Sequence, residues 1–526
     1  MNAYLSTLNE EQHYVVYAED RNILCLAGAG TGKTRCMLAR ISRLIEDGVD
    51  PSSILALTFT NAAAVEMQTR FASLGYDHSP EFKTFHSFCY GLLLTDKLVC
   101  LKCGYNVTPN VATEEDEKFI RTQVSMQLGF KKSSMSSKDA IIFKKAMKRT
   151  MRSKNLITYD EMCESVCQLF VDDDASIRRY KKKYQYIFVD EFQDTDSTQF
   201  RFVSSFDRSN SFAVADVLQA IYAFRGADSS ITKQLCLDSK WKVYKLSTNY
   251  RSTKEICEYA NTLSSSYSDD SYRIELSSNR TGDSVEEIHY TNEFDAFKSM
   301  IKNCNNETED CAILVRTNKE VENIKYYLKE HNMKFRTKQI SDIEPVHLLQ
   351  SAYDDNYAIT YLSSLLDYSQ YTSYIKKIHE SEVTGKSYSL FNFIEDFGWN
   401  RDVESSMKTI TKLRSVISQG DNSINKICDI LGIEKIQLNS DDCNVLEAIK
   451  NNLLTSKKSS NLYVGTIHSV KGLEFDNVYV FGVRGLSFPI TSEENKNLLY
   501  VAITRAKNKL HVYVDDRGYK GDVKDV

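Results

Sequence analysis

Proline is scarce in this sequence, with 5 residues in 526, which excludes the proline-rich linkers and stalks of disordered or fibrous chains. Positive charge is not in excess either: 71 acidic against 66 basic side chains leave a formal net charge of −5. A surface coated in lysine and arginine is therefore excluded, and any contact with a polyanion has to be a local groove. No apolar run approaches membrane-spanning length, and the start, Met1-Asn2-Ala3-Tyr4, lacks a basic stretch followed by an apolar one. A soluble intracellular protein is expected, cytoplasmic or nuclear, with no membrane partner. A second tight cysteine pair is also missing. The 13 cysteines are scattered, and the nearest approach to a metal pattern is Cys100-x-x-Cys103, with Cys89 before it and Cys163 and Cys167 beyond. No histidine adjoins either pair, so the plain reading is free thiols in a reducing compartment.

What is present begins with length, which calls for two to four domains. Residues 23–26 (Ile-Leu-Cys-Leu) form the short apolar run of a buried parallel strand and lead into Ala27-Gly28-Ala29-Gly30-Thr31-Gly32-Lys33-Thr34. This is a phosphate-binding Walker A loop, with Ala27 standing where the usual pattern has glycine. Small residues let successive backbone N–H groups curl around a β-phosphate, Lys33 reaches the β and γ oxygens, and the Thr34 hydroxyl ligates Mg²⁺. Arg35 opens the helix expected over residues 35–45, whose N-terminal dipole faces the anion. Far downstream, Tyr186-Ile187-Phe188-Val189 reads as a second buried strand ending in Asp190-Glu191-Phe192-Gln193-Asp194. There Asp190 suits Mg²⁺ through water, and Glu191 suits the orientation and deprotonation of an attacking water.

These motifs bring the chain to a known pattern. It resembles the UvrD/Rep branch of superfamily 1 helicases, with matches in family order from residue 8 to residue 514. Leu8-Asn9-Glu10-Glu11-Gln12 is similar to the adenine-reading Q motif, which implies Gln12 as the base contact. Leu57-Thr58-Phe59-Thr60-Asn61-Ala62-Ala63-Ala64 and Thr84-Phe85-His86-Ser87 resemble the two DNA-contacting segments of the first motor domain, with Ala62 in place of a lysine. The stretch from Ala215-Asp216-Val217-Leu218-Gln219 through Tyr222-Ala223-Phe224-Arg225-Gly226 resembles the third motif. There Gln219 would sense the γ-phosphate, Tyr222 and Phe224 would face bases, and Arg225 would contact the strand. Val217 and Leu218 replace acidic residues and Phe224 replaces tryptophan. A phenylalanine face still stacks on any base, at about 1–3 kcal/mol. For Phe59, Tyr222 and Phe224 the competing reading is aromatic core.

A second motor domain is implied by Asn249-Tyr250-Arg251-Ser252-Thr253, by Gly465-Thr466-Ile467-His468-Ser469-Val470-Lys471-Gly472-Leu473-Glu474-Phe475, and by Leu499-Tyr500-Val501-Ala502-Ile503-Thr504-Arg505-Ala506. By resemblance Arg251 and Arg505 are arginine fingers, Glu474 contacts the ribose, Gly472 lets the backbone approach phosphate, and His468 touches the strand. Developing charge on a γ-phosphoryl group needs cations from outside the phosphate loop in any case. Surface ion pairs are the alternative for both arginines.

The fold class that follows is α/β: two RecA-like P-loop motor domains with parallel sheets, each interrupted by a mainly helical insertion. The expected division is 1–88 with 184–245 for the first motor, 89–183 for a basic insertion, 246–345 with 460–526 for the second motor, and 346–459 for a reduced accessory insertion. The first insertion carries Lys144, Lys145, Lys148, Arg149, Arg152 and Lys154, then Arg178, Arg179, Lys181, Lys182 and Lys183. Such a run either grips phosphates or forms a solvated helical face. About a dozen residues follow the strand expected over 509–514, and no partner-binding tail is expected there.

The resemblance implies an ATP- and Mg²⁺-dependent 3′–5′ DNA helicase that acts on single-stranded DNA and its junctions with duplex, as a monomer or a DNA-assembled dimer. The alternatives are a translocase that strips proteins or works on RNA, and a nucleotide-dependent strand-binding module or switch.

Overall fold

The computed structural model describes residues 5–112, 114–129, 136–206, 208–305, 309–337, 389–397, 400–418, 424–431 and 461–518, with isolated positions between 348 and 377. The chain forms two compact units. The first comprises Met1–Lys302, Ile313–Thr317 and Thr466–Val526, and the second Asn303–Ala312 and Asn318–Gly465.

Unit 1 is organised by a six-stranded sheet of β1 (Asn22–Ala27), β2 (Ile54–Thr58), β3 (Glu81–Thr84), β6 (Tyr186–Val189), β7 (Asn210–Ala215) and β8 (Lys242–Leu246). The strand order is β3-β2-β6-β7-β1-β8, and every neighbouring pair is parallel. Registers such as Leu24↔Ala213 and Ala56↔Phe188 pair apolar residues across the centre, as expected of strands buried on both faces. Because all six strands run the same way, all six C-terminal ends lie on one edge, where open α/β sheets bind ligands. In sheet order those ends carry residues 84–86, 59–61, 190–191, 216–219, 28–34 and 249–251. The six motifs are thus adjacent through strand order rather than sequence.

Local chemistry sets the helices that line this edge. Helix α1 (Glu10–Tyr17) begins at Asn9, which makes a capping box with Gln12: each side chain bonds the other's backbone N–H. Helix α2 (Lys33–Glu46) starts two residues earlier than the spacing predicts, directly after Gly32 at φ +85°. Helices α3 (Asn61–Ala72) and α4 (Phe85–Thr95) are capped by Thr60 and Thr84.

The segment between β3 and β6 is mainly helical, as expected, with α5 (Lys97–Lys102), α6 (Glu114–Leu128), α7 (Ser137–Ser153) and α8 (Tyr159–Val171). A two-stranded parallel pair, β4 (Asn110–Val111) with β5 (Leu156–Ile157), joins it internally. A second parallel arrangement in this unit sets β13 (Ala506–Asp515) between β12 (Phe475–Val483) and β9 (Glu286–Tyr290). The described part of unit 2 includes most of β11 (Leu462–Thr466) and the helices Asn318–Glu330, Leu390–Phe397, Arg401–Ser418 and Ile424–Leu431. The strand β10 (Cys311–Val315) straddles the unit boundary. Most of the insertion expected over 346–459 lies outside the described residues.

Arg40 shows how the sheet and its helices are tied. It is buried, and its Nη1 donates to the carbonyls of Val15 at 2.9 Å and Val16 at 3.1 Å, in the last turn of α1, while the guanidinium lies 5.2 Å from the Phe212 ring centroid. Burial, with the neighbouring Arg43 charge, brings its pKa down to about 10, so it stays protonated at neutral pH. Arg40→Met keeps the packing but strands two carbonyls at a helix end that otherwise have a charged donor. It should lower stability by about 2 kcal/mol, read as a lower urea midpoint by circular dichroism. An unchanged midpoint would contradict this role for Arg40.

Candidate active site

The phosphate loop leaves β1 through Ala27 and Gly28 and enters α2 at Lys33. Gly30 and Gly32 have φ of +71° and +85°, a left-handed region that side chains rarely adopt. The Thr31 hydroxyl closes the loop on the Gly28 carbonyl at 2.8 Å, and the Gly28 N–H donates to Leu246 O on β8 at 3.2 Å. Gln12 is buried against the loop, its Nε2 donating to Thr31 O at 3.0 Å while its Oε1 closes the α1 capping box. Arg35 donates to Thr7 O at 3.0 Å.

Three neighbouring strands, β6, β7 and β1, converge their charged residues beside this loop. Lys33 Nζ lies 3.7 Å from Asp216 Oδ2, and among the described residues it is a buried donor with no hydrogen-bond partner. Thr34 Oγ1 approaches Asp190 Oδ2 at 3.5 Å. Glu191 is a non-glycine residue at φ +51°, held there by Asp190 Oδ1, which accepts its N–H at 3.0 Å. A left-handed residue costs about 1–2 kcal/mol, a strain typical of functional turns. Gln193 Nε2 donates to Glu191 Oε2 at 2.5 Å while its Oε1 accepts from the Asp216 N–H at 2.9 Å, bridging the ends of β6 and β7. Gln219 Nε2 donates to Asp216 Oδ2 at 2.7 Å.

Two cations come from the late part of the chain. Lys471, 8% exposed, bonds Asp194 Oδ2 and Gln219 O and lies 3.8 Å from Glu191 Oε2. Arg505, 2% exposed, donates from Nη2 to Gln219 Oε1 at 3.4 Å and from Nε to Val501 O at 3.0 Å. It is no surface ion pair. The helix Glu493–Ile503 positions it: buried Asn497 donates to Ala220 O at 3.2 Å, docking that helix on the turn after β7.

These contacts divide the carboxylates. Burial first, and then the Glu191 charge, pushes Asp190 up to about 7. Burial acts on Glu191 too, but the Lys33 and Lys471 charges, the Gln193 hydrogen bond and the Arg505 charge outweigh it and hold it far down, ionised at neutral pH. Burial raises Asp194 to about 6 against the pull of Lys471, and raises Asp216 against that of Lys33. A permanently charged base therefore stands beside an acid that would take a proton near neutrality unless a cation faced it.

The remaining expected residues take varied places. Arg251 lies next to Gly30, with Asn249 Nδ2 donating to Ala29 O at 2.7 Å and the Tyr250 N–H to Gly30 O at 2.9 Å. Its guanidinium donates to Glu474 Oε2 at 2.8 Å and Thr504 O at 3.0 Å, so Glu474 here holds Arg251 and also Lys507, at 3.1 Å. Gly472 has φ +87° with nothing within 4 Å of an added Cβ.

Phe59 and Tyr222 stack with centroids 5.8 Å apart and 6° between planes, Tyr222 and Phe224 are 6.1 Å apart, and Phe224 meets His468 edge-on at 5.5 Å. Phe224 is 63% exposed, which removes it from any core. His86 meets Tyr159 edge-on at 5.9 Å. Thr60 and Thr84 serve as helix caps, Thr84 from a buried position. The side chains of Asn61 and Arg225 lie outside the described ones. Much of the basic run is neutralised: Lys144 and Lys148 pair with Glu164, Arg152 with Glu161, Arg178 and Lys181 with Asp173, Arg179 with Asp96 and Lys183 with Glu81.

Sequence reasoning did not single out Gln193, Asp194, Asp216 and Lys471 as site residues. All four stand within the motif strings, but only the strand order shows that they meet.

Comparison with known proteins agrees with this geometry. The family model described as UvrD/REP helicase N-terminal domain matches residues 8–124 and 105–240, and that of the UvrD-like helicase C-terminal domain matches 244–344 and 337–516. Similar relatives include the ATP-dependent DNA helicase PcrA of Leuconostoc citreum, 26% identical over 96% of this chain and 81% of its own length. The proteins of that name from Bacillus subtilis (strain 168) and Staphylococcus aureus (strain Mu50 / ATCC 700699) are 26% and 25% identical, each over 97% of this chain and over 83% and 84% of their own lengths.

Two glycines separate backbone demand from packing demand. An alanine Cβ at Gly30 would sit 2.8 Å from Arg251 Cβ and 2.9 Å from the Asn249 amide, whereas one at Gly472 would meet nothing within 4 Å. Both substitutions carry the left-handed cost of about 1–2 kcal/mol. Gly30→Ala must also displace Asn249 and Arg251, so its thermal midpoint should fall further than that of Gly472→Ala. Equal shifts would contradict the packing of Arg251 on the loop.

Proposed function

Since this chain belongs to the UvrD/Rep helicase family, we propose that it is an ATP-dependent DNA helicase that moves 3′ to 5′ along single-stranded DNA and opens its junctions with duplex. One observation carries the reading. Lys33, Asp190, Glu191, Asp216, Gln219, Lys471 and Arg505 form a single, largely buried polar cluster beside a phosphate loop, and Lys471 also touches the aromatic platform, 4.9 Å from the Tyr222 ring centroid.

The chemistry follows from the residues. Lys33, a buried ammonium without a hydrogen-bond acceptor among the described residues, suits a phosphate oxygen. The fit of a divalent cation rests on Thr34 and Asp190, oxygen donors 3.5 Å apart, and on the raised Asp190 carboxyl, whose proton a cation would replace. Held there, a divalent cation such as Mg²⁺ would supply charge neutralisation for the phosphates of ATP. Glu191, held ionised and oriented by Gln193, positions the attacking water and accepts its proton. Arg505 and Arg251 stabilise the charge that develops on the transferred group, Arg251 after release from Glu474. Gln219 bonds both Asp216 and Arg505 and so senses whether the γ-phosphate is present. Gln12 and Arg35 flank the loop on the side expected to meet the base. A switch would need the nucleotide residues but no exposed stacking face, and Phe224 provides one.

The division into two motor domains, 1–88 with 184–245 and 246–345 with 460–526, interrupted by insertions at 89–183 and 346–459, belongs to the same proposal. Differential contacts to ATP and ADP shift the populations of two grips on the stacked bases, and each turnover becomes a step.

The test is ATP turnover with and without a single-stranded oligonucleotide, beside unwinding of duplexes with overhangs of each polarity. The wild type should be stimulated by the strand and unwind from a 3′ overhang. Lys33→Ala should keep strand affinity and lose turnover, and preserved ATPase in that variant would overturn the assignment.

A further inference from the structure

The cysteines that sequence spacing draws together are not the ones the fold draws together. Cys100 and Cys103 sit on and just after α5, with Cys100 Sγ directed at Val107 O at 3.4 Å. Instead, Cys89 on α4 meets Cys163 and Cys167 on α8. The Cys163 and Cys167 sulfurs are 3.7 Å apart, those of Cys89 and Cys167 are 4.0 Å apart, and all three lie within 4.8 Å of one another. All three thiols are buried.

We propose that Cys89, Cys163 and Cys167 form a structural site for a thiophilic divalent cation, of which zinc is the type. The geometry is that of a tetrahedral thiolate face, since zinc–sulfur bonds of about 2.3 Å at tetrahedral angles set neighbouring sulfurs about 3.8 Å apart. Neither observed pair is at the ~2.0 Å of a disulfide. Cys163 and Cys167 are four residues apart on one helix and so share a face, which is how a helix presents two ligands to one ion. Three thiolates are one short of a closed structural site. His86, three residues before Cys89 on the same helix, has the chemistry suited to the fourth position and would have to turn toward the three sulfurs to fill it.

Binding would release the three thiol protons to solvent as three sulfur–metal bonds form, with no change of oxidation state. The ion would staple α4, which starts at the segment resembling a strand contact, to α8, which packs beside the helix Ser197–Ser204 that follows the carboxylate turn. The inference rests on sulfur geometry and is independent of the proposed ATPase.

The full-length protein, purified without chelator, should carry one zinc ion per chain by atomic emission. After exchange with cobalt it should show thiolate-to-metal charge transfer in the near ultraviolet. Cys163→Ser and Cys167→Ser should lose both signals, and Cys100→Ser and Cys103→Ser should keep them. If the first two variants fail to fold, the wild type decides: bound zinc should shield Cys89, Cys163 and Cys167 from alkylation mapped by mass spectrometry, and a chelator should abolish the shielding. Absence of stoichiometric metal and of charge transfer, metal that persists in folded Cys163→Ser and Cys167→Ser variants, or alkylation indifferent to the chelator would each overturn the site.

Discussion

Four carboxylates, those of Asp190, Glu191, Asp194 and Asp216, are crowded at the C-terminal edge of a parallel sheet with the cations Lys33, Lys471 and Arg505 set among them. Taking one ion out of water costs several kcal/mol, and breaking a buried pair costs about 3–5 kcal/mol because an uncompensated charge remains. The cluster therefore tolerates little rearrangement. It demands that β6, β7 and β1 be neighbours, that Glu191 accept a left-handed backbone, and that Gln193 and Gln219 spend both ends of their amides on bridging. In the proposed mechanism an arriving polyanion with its cation changes the charge balance of the whole cluster at once, so that hydrolysis state would be felt at a distance from the phosphate loop.

In that mechanism Lys471 is where the influence would leave the nucleotide side. Its ammonium bonds Asp194 and the Gln219 carbonyl, neighbours Glu191, and faces the Tyr222 ring, which stacks in turn on Phe59. A base stacked on this platform and a phosphate bound near Glu191 would therefore act on one cation. Tyr222 follows Gln219 by three residues, so the same short turn after β7 carries both the amide proposed to sense phosphate and the ring proposed to stack on a base.

The phosphate loop and the carboxylate strand were legible because their chemistry is local: small residues must bracket the anion, and an apolar run ending in acids reads as a buried strand. The meeting of Asp194 with Lys471 was not, because 277 residues separate them and only the packing of the helix and turns around β6 and β7 joins them. Asp216 carries no role of its own in the third motif string, yet as the residue immediately after β7 it is placed beside β1 and hence Lys33. Cys100 and Cys103 have the tightest spacing, but it is Cys89, Cys163 and Cys167 that converge, because their meeting depends on two helices packing side by side. The lysine-rich stretch reads equally as a phosphate grip or a solvated face, because its acidic partners on neighbouring elements, such as Glu164 and Asp173, are not apparent from its own sequence.

The central claim is that one buried cation joins nucleotide chemistry to the aromatic platform, and Lys471→Met tests it most directly. Steady-state ATP turnover of this variant should be measured with increasing single-stranded oligonucleotide, beside nucleotide binding in the absence of the strand. The account predicts that nucleotide still binds while stimulation by the strand collapses. Stimulation equal to that of the wild type would contradict it.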